Sequence, residues 1–142
     1  MSDISPWIGG READDVEILQ QRSAYHRTTV ERRGAIVYRD AKPWTTSVHA
    51  LLRHLEARGF DAAPRVAGSG FDELGHETLT YIDGLIDGGR PPWAQHGTGV
   101  WSESAAHRLG ALLKQFHDCV ADFEPPPGAS WFAWSGAEMG EG

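Results

Sequence analysis

The chain has 142 residues, 40% of them hydrophobic, and a formal charge of −7 from 13 basic and 20 acidic side chains. Such a length holds one compact domain, which on folding buries roughly two thirds of the surface its unfolded chain exposes. The acidic balance excludes a nucleic-acid-binding domain, which needs a basic face to displace phosphate counterions, and a polybasic membrane anchor. A single cysteine, Cys119, excludes an internal disulfide and a multi-cysteine zinc site.

Residues 1–15 combine Pro6, Gly9, Gly10 and the charged run Arg11–Asp15 without an apolar period, and read as a loose arm. The first six residues, Met1-Ser-Asp-Ile-Ser-Pro6, have neither the basic nor the apolar region of a secretory signal. No apolar run reaches the roughly 20 residues that span a bilayer, so a cytoplasmic location is expected. Val16, Ile18 and Gln20 alternate with other residues as a first strand would. Thr28–Arg32 and Ala35–Arg39, β-favouring runs around Arg33-Gly34, read as an antiparallel hairpin.

Val48, Leu51, Leu52 and Leu55 stand at i, i+3, i+4 and i+7, the apolar stripe of an amphipathic helix. Thr45 or Thr46 is placed to cap its start, and Gly59 to end it in the left-handed conformation. Arg65–Ser69 and His76–Ile82 read as two further strands joined by a turn over Phe71–Gly75. Residues 84–100 are rich in Gly and Pro and read as a linker between two structural halves. A second helix begins at Trp101–Glu103 with Ser102 as its cap. Its apolar positions Ala105, Leu109, Leu112, Phe116 and Val120 run to the stop before Pro125. The tail beyond holds Trp131, Phe132 and Trp134, apolar groups that suit self-association or docking on a partner.

Few residues suggest chemistry by themselves. His49 and His54 lie on one predicted helix but five positions apart, about 140° around its axis, and cannot converge on one metal. Cys119 has no neighbour that would activate its thiol. Asp83 and Asp87 beside glycines read as turn formers, and His117 and Asp118 point about 100° apart. The order of elements says more: a hairpin, a helix, two strands, a linker and a long helix follow the small lobe and hinge of a kinase-like α+β fold.

The run from Val37 to Val66, with Lys42-Pro-Trp-Thr-Thr-Ser-Val-His-Ala-Leu-Leu-Arg-His-Leu55 at its centre, resembles the N-terminal lobe of aminoglycoside phosphotransferase-type small-molecule kinases. Leu79–Gly84 resembles that family's strand into the hinge, and Trp101–Pro125 its first large-lobe helix, so the resemblance spans residues 16–134. It implies ATP and magnesium as cofactors and a small-molecule hydroxyl as acceptor. Arg39 would contact phosphate where the family usually has Lys, Glu56 would hold it, and the backbone of Tyr81, Ile82 and Asp83 would meet adenine. Where the family often has a glycine pair in its first loop, this chain reads Gln20-Gln21-Arg22-Ser23, which puts Gln21 and Ser23 beside the phosphates. The family's catalytic Asp and Asn loop and its later metal-binding Asp are absent. The expected function is therefore the nucleotide-binding lobe of a phosphotransferase, inactive alone. The other readings are a stand-alone module docking through its apolar tail, and half of a split enzyme.

Overall fold

The computed structural model describes residues 16–21, 28–84 and 102–133. The expected arm over residues 1–15, Ser23, the linker from residue 85 onward, Trp101 and Trp134 lie outside the described residues. The described chain is α+β, an open five-stranded antiparallel sheet with two helices. Its elements are β1 (Val16–Gln20), β2 (Val30–Arg33), β3 (Ile36–Arg39), α1 (Thr45–Ala57), β4 (Val66–Phe71), β5 (Glu77–Thr80) and α2 (Glu103–Val120). The strands stand in the order β1-β2-β3-β5-β4, so the last strand in sequence inserts between β3 and β4.

The hairpin forms as its sequence suggests, with Arg33 opposite Ile36 and a two-residue loop at Gly34 and Ala35. Gly34 has a φ of 58° and Ala35 stays at negative φ, the pattern of a turn with glycine first, whose twist matches that of the strands. Register sets the two faces of the sheet. Glu31, Tyr38 and Thr78 form one cross-strand row, and Arg32, Val37 and Leu79 the next. Because alternate residues face opposite ways, Leu79 turns to α1 while Thr78 turns away. The β4–β5 connection is tied by Asp72, whose Oδ1 accepts the backbone N–H groups of Leu74 and His76 at 2.9 and 2.8 Å.

Helix α1 presents Leu52 and Leu55 to Leu79 and Phe60, and these four buried side chains form the core cluster. Its C-terminus is closed twice: the N–H of Gly59 donates to the Glu56 carbonyl and that of Phe60 to the Leu55 carbonyl. Gly59 supplies the positive φ, 71°, that this closure needs, and Phe60 packs back on the helix it ends. The N-terminus departs from expectation. Trp44 is the cap residue, without a side-chain hydrogen bond. The Thr45 hydroxyl is instead engaged by the Lys42 N–H at 2.8 Å, tightening the turn before the helix.

In α2 the expected cap is present: Ser102 Oγ accepts the Ala105 N–H at 3.0 Å, with Glu103 in the first turn near the positive end of the dipole. Only its C-terminal part is seated. Phe116, Cys119 and Val120 pack on the core, with the Phe60 and Phe116 rings 5.8 Å apart. His54 Nε2 donates to the Cys119 carbonyl at 2.7 Å, and Arg58 pairs with Asp122 just beyond the helix. The chain then returns to the start of α1, where the Ser130 N–H donates to Ser47 Oγ at 2.9 Å and Phe132 lies edge-on to Trp44.

Candidate functional site

A cavity of about 160 Å³ opens where the end of β3, the start of β5 and the first turns of α1 meet. Its lining is Thr28, Arg39, Asp40, Lys42, Trp44, Thr45, Val48 and Glu77. Arg39 and Glu77 line its floor, His49 stands behind Glu77, and the fold dictates each. Antiparallel pairing sets Arg39 opposite Glu77, and α1 lays His49 across them from above. Arg39 Nε donates to Glu77 Oε2 at 2.5 Å, and His49 Nε2 lies 3.1 Å from Glu77 Oε1. Both oxygens of a carboxylate that is 97% covered thus have partners, as a buried charge requires.

Burial pushes the His49 pKa below its ordinary value, and this outweighs the attraction of Glu77, while Arg53 and Arg39 push the same way as burial. The ring is therefore neutral at neutral pH, and its Nε2–H donates to Glu77. The seat of His49 depends on Gly70 in β4. A Cβ there would come within 2.5 Å of His49 Cε1 and 2.6 Å of Nδ1, and the φ of 87° already favours glycine. Phe71 closes the other side, its ring 5.1 Å from that of His49.

The mouth differs from the floor. The Arg39 side chain is 41% exposed, and its terminal nitrogens have no partner among the described residues. Lys42 is half-buried, with no ion pair among the described residues, and Trp44 supplies an apolar wall. Across from them, Asp40 accepts the Thr28 hydroxyl at 2.8 Å. The pocket therefore sets charges of both signs beside an indole and the Val48 side chain. Among the described residues no three His, Cys, Asp or Glu side chains gather closely enough to hold a metal ion.

Of the nucleotide-site residues that the resemblance implied, Arg39 alone lines this cavity. Its carboxylate is Glu77, while Glu56 is exposed on α1. Tyr81 sits away from the pocket, extending the β3–β5 ladder through its N–H to Ala35, with the Arg32 guanidinium 3.8 Å above its ring. Ile82, Asp83 and Gln21 are exposed, and Ser23 is outside the described residues. Sequence reasoning missed His49, Glu77 and Lys42. A signal existed for Glu77, which stands two residues before Leu79 and so shares its inward face.

No family model matches the chain, and no solved structure matches it. It is 48% identical over 116 residues to a curated protein, the trifolitoxin immunity protein of Rhizobium leguminosarum bv. trifolii. That match covers 82% of this chain and 41% of the relative, so the chain spans less than half of the relative's length. The relative's name corrects the aminoglycoside phosphotransferase assignment, together with the phosphotransferase function and ATP binding that hung on it. The resemblance rested on an order of elements and on three short segments, Val37–Val66, Leu79–Gly84 and Trp101–Pro125, none of which carries catalytic residues, and function resides in sites rather than in element order. Among the described residues, no helix is long and apolar enough to cross a membrane.

Proposed function

We propose that this chain serves in immunity to a toxin, protecting the cell that makes it against a compound of the kind named for its relative. The observation that carries this reading is the 48% identity over 116 residues. The cavity at the end of β3 is the point at which the chain meets its ligand. Arg39 and Lys42 supply positive charge at the mouth, Asp40 supplies negative charge, and the Glu77–His49 pair holds Arg39 in place. A rigid floor matters because a guanidinium that is already oriented loses less freedom on binding.

The test is survival of a trifolitoxin-sensitive bacterium expressing the intact relative, a chimera carrying this chain in place of the matched segment, or an empty vector. Protection by the chimera comparable to that by the relative is expected, with about a tenfold or larger loss in Arg39→Ala, in line with the effect of removing one charge-assisted contact. A chimera that accumulates as folded protein and gives no protection, where the relative does, overturns the reading.

A further inference from the structure

The cavity at the end of β3 combines cations that have donors to spare with apolar wall. Glu77 engages only the Nε of Arg39, at 2.5 Å, so the guanidinium is oriented while its two terminal nitrogens remain for a ligand. Their N–H groups form a planar edge that matches the two oxygens of a carboxylate. Lys42 lines the same cavity, half-buried and with no ion pair among the described residues. The carboxylates of the lining are differently placed. Both oxygens of Glu77 are bonded, to Arg39 and to His49, and Asp40 accepts the Thr28 hydroxyl at 2.8 Å. Trp44 and Val48 give the cavity its apolar surface. Its volume of about 160 Å³ is close to the roughly 150 Å³ of an apolar cavity that accepts a benzene ring.

Charge narrows the choice of ligand. Arg39 and Lys42 stand against Asp40 and Glu77, so the lining is neutral as a whole, with its open donors on the cations. A doubly charged group such as a phosphate ester would bring a second negative charge toward Asp40, with no further cation in the lining to meet it. A ligand ammonium would meet two like charges. A carboxylate brings one negative charge and the geometry that the Arg39 edge fits. We infer that the cavity takes a carboxylate carried on an apolar body about one ring in size, either a free organic acid or the C-terminal residue of a peptide. This rests on the cavity being the place where the chain meets its ligand, and adds the chemical class of that ligand.

The experiment titrates phenylacetate into the 142-residue chain and follows the Arg39 Nε–H and the Trp44 indole N–H by heteronuclear NMR. Both signals should shift saturably. Acetate, which lacks the ring, and phenylacetamide, which lacks the charge, should each bind at least about tenfold more weakly. Phenyl phosphate and benzylammonium should also bind more weakly than phenylacetate. N-acetyl-glycyl-phenylalanine distinguishes the two sources: clearly tighter binding than phenylacetate assigns a peptide end, and equal or weaker binding a free acid. Lys42→Gln should weaken phenylacetate by about three- to tenfold. It is the variant of choice because removing Arg39 would leave Glu77 buried without its cation. Binding of the amide, the phosphate or the amine as tight as that of phenylacetate overturns the carboxylate class. So does the absence of a saturable shift with either acid, or an affinity unchanged in Lys42→Gln. Protection by the chimera without binding of either acid overturns this class and leaves the immunity reading standing, whereas carboxylate binding without protection does the reverse.

Discussion

The two helices of this chain are built on the same apolar period and end in different circumstances. α1 is closed at its C-terminus by Gly59 and Phe60, lies on the sheet, and buries Leu52 and Leu55. α2 has the better N-terminal cap and a stripe as regular, yet it buries nothing fully and touches the core only through its last turns. The difference shows that amphipathic periodicity specifies which side of a helix seeks cover, and long-range packing decides whether it finds cover within the chain. Stability should accordingly be concentrated in the sheet and α1, and paired substitutions in the two helices expose the gradient.

Truncating a leucine gives the widest separation. Leu55 is 2% exposed and sits in the closed end of α1, so Leu55→Ala should destabilise by about 2–5 kcal/mol through lost burial and the cavity left behind. Leu109→Ala, at 56% exposure, should change stability by no more than about 0.5 kcal/mol. Urea unfolding of both variants measures this, and equal losses would mean that α2 is covered within the chain.

A pair of glycines gives the next contrast, and here the sign should change. Gly70→Ala forces a methyl group into the His49 ring at a φ of 87° and should cost about 1–3 kcal/mol. Gly110 lies within α2 with open space where a Cβ would stand, so Gly110→Ala should stabilise by about 0.5–1 kcal/mol through helix propensity. Thermal melts of the two variants should move in opposite directions.

What was legible in the sequence is what local rules govern. The Gly34 turn, the Gly59 stop, the Ser102 cap and the phase of Leu79 against Thr78 each depend on a few adjacent residues. The cavity floor depends on residues from three elements. Arg39 meets Glu77 only because β5 inserts beside β3, a pairing across 38 positions that no local pattern announces. An acidic residue on the neighbouring helix, Glu56, was a reasonable partner for Arg39 by element order, and register selected a strand residue instead. His49 likewise has no local signal of its place, since nothing in its neighbourhood says that β4 thins to glycine beneath it.

The buried trio also gives the sheet side a pH dependence. With its folded-state pKa below 6.5, His49 takes up a proton in the unfolded chain before the native one does. The unfolded state therefore binds more protons below pH 6.5, and stability falls as pH drops from there toward the folded pKa. Stability measured between pH 8 and 5 should slope downward toward acid. His49→Gln, which keeps a donor for Glu77 and removes the titration, should flatten that slope. Asp72, its pKa pushed up by burial but held lower overall by hydrogen bonds from His76 and Leu74, loses its contribution only below about its ordinary 3.8, outside that window. An unchanged slope in His49→Gln would show that another group sets the acid limit.

The smallest expected effect is the most discriminating about α2. An N-cap substitution such as Ser102→Ala usually costs about 0.5–2 kcal/mol, because it orphans a backbone N–H at the helix start. That cost appears in global stability only when the first turn is coupled to the core. Here the side chains joining α2 to the core begin at Phe116, some three turns beyond the Ala105 N–H that Ser102 holds. The first turns can fray while Phe116, Cys119 and Val120 stay seated. Ser102→Ala should therefore leave the urea midpoint almost unchanged while amide exchange over residues 105–109 accelerates by about three- to thirtyfold, the local equivalent of the lost cap. A full cap penalty in the 142-residue chain would instead place the whole helix within one cooperative unit and erase the contrast between α1 and α2.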